Sequence, residues 1–271
     1  MNYVIATYNG SANRKHTHPI PNDVLRCHID KIREFKHNLK RITIMKAKCD
    51  KPVYENYYNI NKTGLPIKEI NVENYGYSMG QWLKAYELDK TFDYYLFMED
   101  DYCPSLDNFD KIIIKIYKDK FPDNIGLLTS VIEGKGMGED GSYPIHFEGI
   151  ALVSRETLEK LYKKWDNKAR EELDKLDSSI VKCLNDVKRR YKGGYYQLTF
   201  SLIFTLAGIE HKDYTEIYNH FYWDDFRNLI TKFNRKKKHS KRYTLDDIRN
   251  CVFLPVQLKD EECIKKHAKF A

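Results

Sequence analysis

The stretch "YYLFMEDDYCPS", residues 94–105, runs from apolar residues directly into three consecutive acids, Glu99, Asp100 and Asp101. Neighbouring carboxylates repel one another, so a buried strand that ends in this way needs a counter-charge. A hard divalent cation, bound by carboxylate oxygens at about 2.0 to 2.6 Å, is the usual source of that charge. An isolated acidic triplet is more often a solvated turn. Because an apolar strand precedes these acids and a helix follows Cys103-Pro104, the sequence favours a metal site.

Strands and helices alternate on both sides of this stretch. Apolar runs predict the strands, and apolar residues at helical spacing predict the helices. The predicted strands are residues 3–8, 41–45, 67–73, 93–98 and 124–132, and the predicted helices begin near residues 21 and 106 and cover 77–90 and 195–209. Residues 146–162 predict a strand that runs into a helix capped by Ser154. This alternation predicts an α/β fold with a mostly parallel, doubly wound mixed sheet flanked by helices.

Length and composition indicate one large domain with a small appendage. The chain has 271 residues, of which 42% are hydrophobic, enough to bury a substantial core. We predict a domain at residues 1–228 and a basic, partly helical extension at residues 229–271. Much of the net charge of +7 lies in "KFNRKKKHSKR", residues 232–242. Such a run can attract phosphates, nucleic acid or an anionic membrane, but more often it is a solvated loop.

The cysteines and the apolar runs indicate in which cellular compartment the protein is expected. The six cysteines form no C-x-x-C pair, so neither a zinc site nor a disulfide framework is indicated, and a reducing compartment is favoured. No run approaches the roughly 20 apolar residues that span a bilayer. The N-terminal "MNYVIATYNG" is typical of a strand rather than of a signal peptide. We therefore expect a soluble, cytoplasmic protein without a transmembrane segment.

Two of the predicted loops fall where ligands bind in such sheets, beyond the carboxyl ends of the strands. The first strand ends within residues 7–10, and the three acids follow the fourth strand. Because alternate side chains of an extended chain share a face, Glu99 and Asp101 are expected to point one way and Asp100 the other. The two loops are expected to face one crevice.

The order of four motifs resembles the nucleotide-sugar glycosyltransferases of the GT-A fold over about residues 3–225. "FMEDDYCPS" is similar to their metal motif, Asp-x-Asp or Glu-Asp-Asp, at the end of the fourth strand. "HFEGIALVSRETLEKL" is similar to the acceptor-side F-G-G-x-x-x-x-S strand and helix of the galactosyltransferase-like members. "GGYYQLTFSLIFTLAGI" is similar to their Gly-Gly and the helix that ends in glycine, and "EIYNHFYW" to the segment with their last metal ligand.

The resemblance implies a metal-dependent transfer of a hexose-like sugar from a nucleoside diphosphate sugar to a glycan or glycoprotein acceptor. Asp101 matches the direct metal ligand, and His220 matches the last ligand. A site of carboxylates, imidazole and diphosphate oxygens suits Mn²⁺ better than Mg²⁺. The ion would stabilise the leaving nucleoside diphosphate. An ordinary surface histidine is the alternative for His220.

The resemblance also implies which residues hold the donor. Glu99 and Asp100 would support the ion and the ribose. The remaining donor-binding residues are those of the loop after the first strand and those of "NYGYSMGQW", namely Ala6, Thr7, Tyr8, Asn9, Gly76, Ser78 and Gln81. Glycines in the second segment permit a close backbone approach. Met79 and Trp82 in the same segment are expected to be core residues.

The chain departs from the inverting relatives at the general base. Where they place an acid just after the Gly-Gly, residues 195–197 are Tyr-Tyr-Gln, and none of these is a base at neutral pH. Glu148 in "HFEG" is the first substitute and Asp224 in "WDDF" the second, with Asp225 beside it. A retaining enzyme would need no such base. "WDDF" is also typical of a helix N-cap with acids in the first turn.

Two other functions fit parts of the sequence. A nucleotidyltransferase needs a glycine-rich loop with a basic residue, and "NGSANRK" offers only Gly10, Arg14 and Lys15. A non-enzymatic nucleic-acid-binding protein would use residues 232–242 and show steep salt dependence, but it leaves the three acids unexplained. We therefore expect no nucleic-acid partner. The abundance of Lys, Asn, Ile and Tyr is typical of an A+T-rich genome and favours a microbial or viral source.

Overall fold

The computed structural model describes residues 1–8, 24–47, 64–100, 102–129, 132–133, 145–146, 149–184, 195–213 and 253–255. Their helices and strands, in chain order, are β1 (Asn2–Tyr8), α1 (Val24–Glu34), β2 (Arg41–Ala47), β3 (Ile67–Val72), α2 (Tyr77–Leu88), β4 (Tyr94–Glu99), β5 (Tyr102–Pro104), α3 (Phe109–Lys120), β6 (Leu127–Thr129), β7 (Ile132–Glu133), β8 (Ile145–His146), β9 (Ile150–Ser154), α4 (Arg155–Lys164), α5 (Ala169–Leu184), α6 (Tyr195–Leu206), β10 (His211–Asp213) and β11 (Phe253–Pro255).

A seven-stranded sheet organises the described chain, in the order β10-β6-β9-β4-β1-β2-β3. Its neighbouring strands are parallel except at β9, which runs antiparallel to both β4 and β6. Two small antiparallel pairs, β5 with β11 and β7 with β8, lie apart from it. The predicted mixed, mostly parallel α/β sheet is confirmed.

Helices cover both faces of the sheet, so its central strands are buried on both sides. Tyr3 and Ile5 of β1 pack in one core with side chains of α1 and α3. Val4 and Ala6 pack in the other core, with side chains of α2, α4, α5 and α6. The same alternation holds along β4, and it decides on which side of the sheet each residue beyond the strand end lies.

Local signals placed the starts of α2, α4 and α6 correctly. Ser154 is the predicted cap of α4, and its Oγ accepts a hydrogen bond from the backbone N–H of Thr157 at 3.0 Å. The chain after α6 turns at Gly208, whose φ of +65° lies in the left-handed region that glycine tolerates. The sequence interpretation missed α5, in which Ala169 and Leu173 are buried against the rest of the fold.

The predicted extension at 229–271 contributes three described residues, which form β11. This strand pairs with β5, and Phe253 is buried with its ring centroid 6.0 Å from that of Phe109. The segment therefore supplies part of the core on the α1 and α3 face. Across the described ranges, no helix combines the length and hydropathy needed to cross a membrane.

Candidate active site

The strand order reverses between β1 and β4. From β1 the chain continues outward through β2 and β3, and it then returns to β4 on the other side of β1. Both strands are parallel, with Ala6 of β1 opposite Glu99 of β4, so their carboxyl ends lie at one edge. Open α/β sheets bind their ligands at such a switch point. Thr7 and the first two acids of the triplet therefore lie where a ligand is expected.

Asp100 is buried at this edge and held by two elements distant in sequence. Thr7 Oγ1 donates a hydrogen bond of 2.5 Å to Asp100 Oδ2, and the Asp100 side chain is only 1% exposed. His28 Nδ1 of α1 lies 3.2 Å from the Asp100 carbonyl oxygen. Thr7 follows Tyr3 and Ile5 on the α1 face of the sheet, so Asp100 is directed toward that face.

His28 continues this contact into the core. Its Nε2 lies 2.8 Å from the Tyr3 hydroxyl, and both residues are fully buried. Burial lowers the pKa of His28 to about 4, so the ring is neutral at neutral pH. Burial also raises the pKa of Tyr3, which keeps its hydroxyl protonated. Because a carbonyl can only accept, His28 Nδ1 carries the hydrogen and Nε2 accepts from Tyr3.

Glu99 is held on the opposite face, as alternation predicts. Ser78 Oγ at the start of α2 donates to Glu99 Oε1 at 2.7 Å, and the Glu99 N–H donates to the Gly149 carbonyl oxygen at 2.7 Å. A Cβ on Gly149 would lie 2.4 Å from both Glu99 Cγ and Oε2. Gly149 is therefore the residue that leaves room for the Glu99 side chain.

Two glycines bring the start of α2 to this edge. Gly76 has φ +71°, and the next residue, Tyr77, also lies in the left-handed region at φ +50°. A Cβ on Gly80 would lie 1.9 Å from the Tyr75 carbonyl oxygen, so only glycine fits one turn into the helix. This tight start places Ser78 against Glu99. Positive φ at a non-glycine residue is uncommon.

Gln81 and Trp82 follow Ser78 on α2. Gln81 is 3% exposed, and within the described part of the chain its Oε1 has no hydrogen-bond partner. Trp82 Nε1 donates to the Met98 carbonyl oxygen at 3.1 Å, and its ring stacks on Phe97. Met79 and Trp82 are buried, which confirms that they are core residues. The Trp82 contact ties α2 to β4 one residue before the acids.

The described site residues from the sequence interpretation all belong to β1, the start of α2, or the end of β4. They are Ala6, Thr7, Gly76, Ser78, Gln81, Glu99 and Asp100. For Tyr8 the structure describes the backbone alone. The other predicted residues lie outside the described ranges: Asn9, Asp101, Glu148, His220, Asp224 and Asp225, together with Gly10, Arg14, Lys15 and the basic run 232–242.

Sequence reasoning missed three residues that hold the acids. Tyr3 is an apolar-strand residue without a motif, and His28 is a lone histidine on the apolar face of α1, a pattern that is usually structural. The sequence did contain an indication of Gly149, because this residue matches the second glycine of the F-G-G-x-x-x-x-S pattern. Its pairing with Glu99 is visible only in three dimensions.

A complete metal site is not formed by the described residues alone. Among them, no group of three His, Cys, Asp or Glu side chains is placed to hold an ion. Glu99 and Asp100 are on opposite faces, and each carboxylate accepts a hydrogen bond from a hydroxyl. Both carboxylates are therefore engaged within the protein and hold the end of β4 in place. The two predicted direct ligands, Asp101 and His220, lie outside the described residues, so the metal site stays a prediction.

Comparisons with known proteins give structural matches. No protein-family model matches the chain, and no curated protein matches it significantly. Among solved structures, the chain is similar to the galactosyltransferase LgtC in complex with donor and acceptor sugar analogs, with 14% identity, a TM-score of 0.46, and coverage of 78% of this chain and 73% of that one. It is also similar to an active-site mutant of LgtC, with 13% identity, a TM-score of 0.49, and coverage of 88% and 81%.

Both TM-scores lie below 0.5. The fold class is therefore assigned from the strand order, and the candidate site from the contacts among its own residues.

Proposed function

We propose that the protein is a metal-dependent glycosyltransferase that moves a sugar from a nucleoside diphosphate sugar to a carbohydrate or protein acceptor. One observation carries the proposal: the first two acids of the triplet lie at the switch point between β1 and β4, joined to the donor-side motifs by Thr7 and Ser78. The motifs that resemble donor-binding segments thus meet at the sheet edge where open α/β folds bind ligands.

The charge at this edge supports a diphosphate substrate bound through a cation. Asp101 and His220 are the proposed direct ligands, with Mn²⁺ the preferred ion and Mg²⁺ the alternative. When bound, the ion neutralises the diphosphate and stabilises it as a leaving group. Glu99, fixed by Ser78 and Gly149, would support the ligand set from the α2 face. Asp100, buried against Thr7, would hold the turn in place.

The donor nucleoside is proposed to lie against the end of β1 and the start of α2. Residues 6–9 would contact the base, and Gly76, Ser78 and Gln81 would lie beneath the nucleoside. Gln81 Oε1, which has no partner among the described residues, supports this assignment, because a buried acceptor without a donor costs about 1 to 3 kcal/mol. We expect a hydroxyl of the bound donor to satisfy it.

Glu148 is the proposed general base for an inverting displacement, ahead of Asp224. It directly precedes Gly149, whose carbonyl oxygen accepts the Glu99 N–H. The residue that follows Glu148 in sequence therefore lies at the acidic end of β4. A retaining mechanism would leave Glu148 as a contact to the donor sugar.

A donor panel tests the proposal. The purified protein is incubated with a set of nucleotide sugars, with Mn²⁺ or with a chelator, and nucleoside diphosphate release is measured. We expect release with at least one donor and its loss on chelation. Asp101→Asn should abolish that turnover, while Asp93→Asn, at the opposite end of β4 in an ion pair with Arg155, should not. Full activity of Asp101→Asn would contradict the metal assignment.

A further inference from the structure

A chain of buried polar groups runs from the core to the acidic turn. Tyr3 of β1 donates to His28 of α1, and His28 donates to the Asp100 carbonyl oxygen. The exposed fractions of Tyr3, His28 and Asp100 are 0%, 0% and 1%. None of the sequence motifs includes Tyr3 or His28. These buried hydrogen bonds between Tyr3, His28 and Asp100 therefore need an explanation of their own.

Stability alone does not explain an imidazole at this position. His28 lies on the face of α1 that also carries Leu25, Ile29 and Ile32, all of them buried. Replacing a buried hydrogen-bonded pair by well-packed apolar groups is often neutral or stabilising. Apolar residues at both positions 3 and 28 would therefore serve the packing of α1 equally well. What an apolar residue lacks is a directed N–H toward the Asp100 carbonyl oxygen.

The contacts around the acidic turn show what this N–H fixes. The Glu99 N–H is held by Gly149, the Asp100 side chain by Thr7, and the Asp100 carbonyl oxygen by His28. These partners belong to three different segments of the chain. Together they restrain the backbone of Glu99 and Asp100. The Tyr3 hydroxyl in turn fixes the His28 ring in the tautomer that donates from Nδ1.

We propose that Tyr3 and His28 are positioning residues, which fix the peptide at Asp100 and thereby restrain the end of β4 that the predicted metal ligand follows in sequence. The inference rests on the proposed function, because it concerns the same site. Functional groups must be held within about 0.5 Å of their working geometry. Loss of partners that orient metal ligands costs about 10- to 100-fold in metal affinity or activity.

Three variants and one control separate positioning from stability. His28→Leu removes both hydrogen bonds, His28→Asn keeps an N–H near the place of Nδ1, and Tyr3→Phe removes a single oxygen. Tyr117→Phe is the matched control. Tyr117 is also fully buried, and its hydroxyl bonds to Gly126 and Thr157 at the opposite edge of the sheet. Tyr117→Phe should lower the melting temperature without touching the acids.

The first measurement does not depend on turnover. Hydrogen–deuterium exchange of peptides that cover residues 95–102 reports the restraint on the turn, and titration with Mn²⁺ alone reports ion affinity. In His28→Leu we expect faster exchange there and an Mn²⁺ half-saturation raised roughly 10-fold or more. His28→Asn should restore most of the slow exchange and most of the Mn²⁺ affinity. Tyr117→Phe should match the wild type in exchange rate and in Mn²⁺ affinity.

The second measurement determines KM, kcat and the Mn²⁺ requirement with a donor that the wild-type protein turns over. We expect His28→Leu to raise KM for the donor and the Mn²⁺ requirement together, whereas Tyr117→Phe changes neither at temperatures below its melting point. If His28→Leu does not fold, Tyr3→Phe is expected to show a smaller change in the same direction. Wild-type exchange and wild-type Mn²⁺ binding in the folded variants would overturn the positioning role. If the wild-type protein turns over no nucleotide sugar, the proposed function fails, and exchange at residues 95–102 still decides the positioning role.

Discussion

Gly149→Ala is expected to disable the site while leaving the fold largely intact. The added Cβ would lie 2.4 Å from Glu99 Cγ and Oε2, far inside van der Waals contact. Glu99 is partly exposed at the strand end, so its side chain can rotate away, and it then loses the 2.7 Å hydrogen bond from Ser78. Overpacking of this kind costs about 1 to 3 kcal/mol. We expect the lower end of that range, because Glu99 can move toward solvent.

The assay is Mn²⁺-dependent release of nucleoside diphosphate, measured beside thermal unfolding. A loss of about 1 kcal/mol lowers the melting temperature of a domain of this size by about 2 to 4 °C. Turnover should fall by about 10-fold or more, because Glu99 no longer supports the site. Ser78→Ala removes the same restraint from the other side, so the double variant should lose less than the two single effects combined.

Gly126→Ala is the matched control. Its Cβ would lie 2.2 Å from the Phe121 ring, at the amino end of β6 and away from the acids. We expect Gly126→Ala to be destabilised at least as much as Gly149→Ala and to keep its turnover below the melting point. A Gly149→Ala protein with wild-type turnover and metal dependence would refute the role assigned to Glu99.

Four further outcomes are expected. Thr7→Val removes the donor to buried Asp100 and should lower the free energy of unfolding in urea by about 1 to 3 kcal/mol, whereas Thr7→Ser should not. His220→Ala should raise the Mn²⁺ concentration for half-activity roughly 10-fold; unchanged metal dependence would make it a surface histidine. Glu148→Gln should keep donor binding but lower turnover by about 10² to 10⁴, and retention of anomeric configuration in the product, seen by NMR, would exclude its role as base. Burial lowers the pKa of His211 from 6.5 to about 4, so the unfolded chain takes up the proton first as the pH falls. His211 should therefore cost up to about 1.4 kcal/mol of stability per pH unit between pH 6.5 and 4, and His211→Gln should remove this share of the slope in thermal unfolding curves while the share of buried His28 remains.

The sequence by itself determined the main strands of the sheet, most of its helices and the place of the acids at the end of β4. Strand β4 and its acids follow from an apolar run that meets charged residues, and the α4 cap follows from Ser154. These signals are local, because side-chain periodicity and capping depend on residues within one or two turns. The opposite directions of Glu99 and Asp100 followed from strand alternation alone.

Only the tertiary structure decided what holds the acids. Thr7 and His28 lie 93 and 72 residues from Asp100 in sequence, and no periodicity connects such distant positions. The antiparallel insertion of β9 beside β4 brings Gly149 to Glu99, and the pairing of β11 with β5 brings Phe253 into the core. A hydrogen bond between distant segments forms only when the order of the strands brings donor and acceptor together. That order is a property of the whole packed chain, since each strand pairs with the neighbour that best buries the apolar surface on both faces of the sheet.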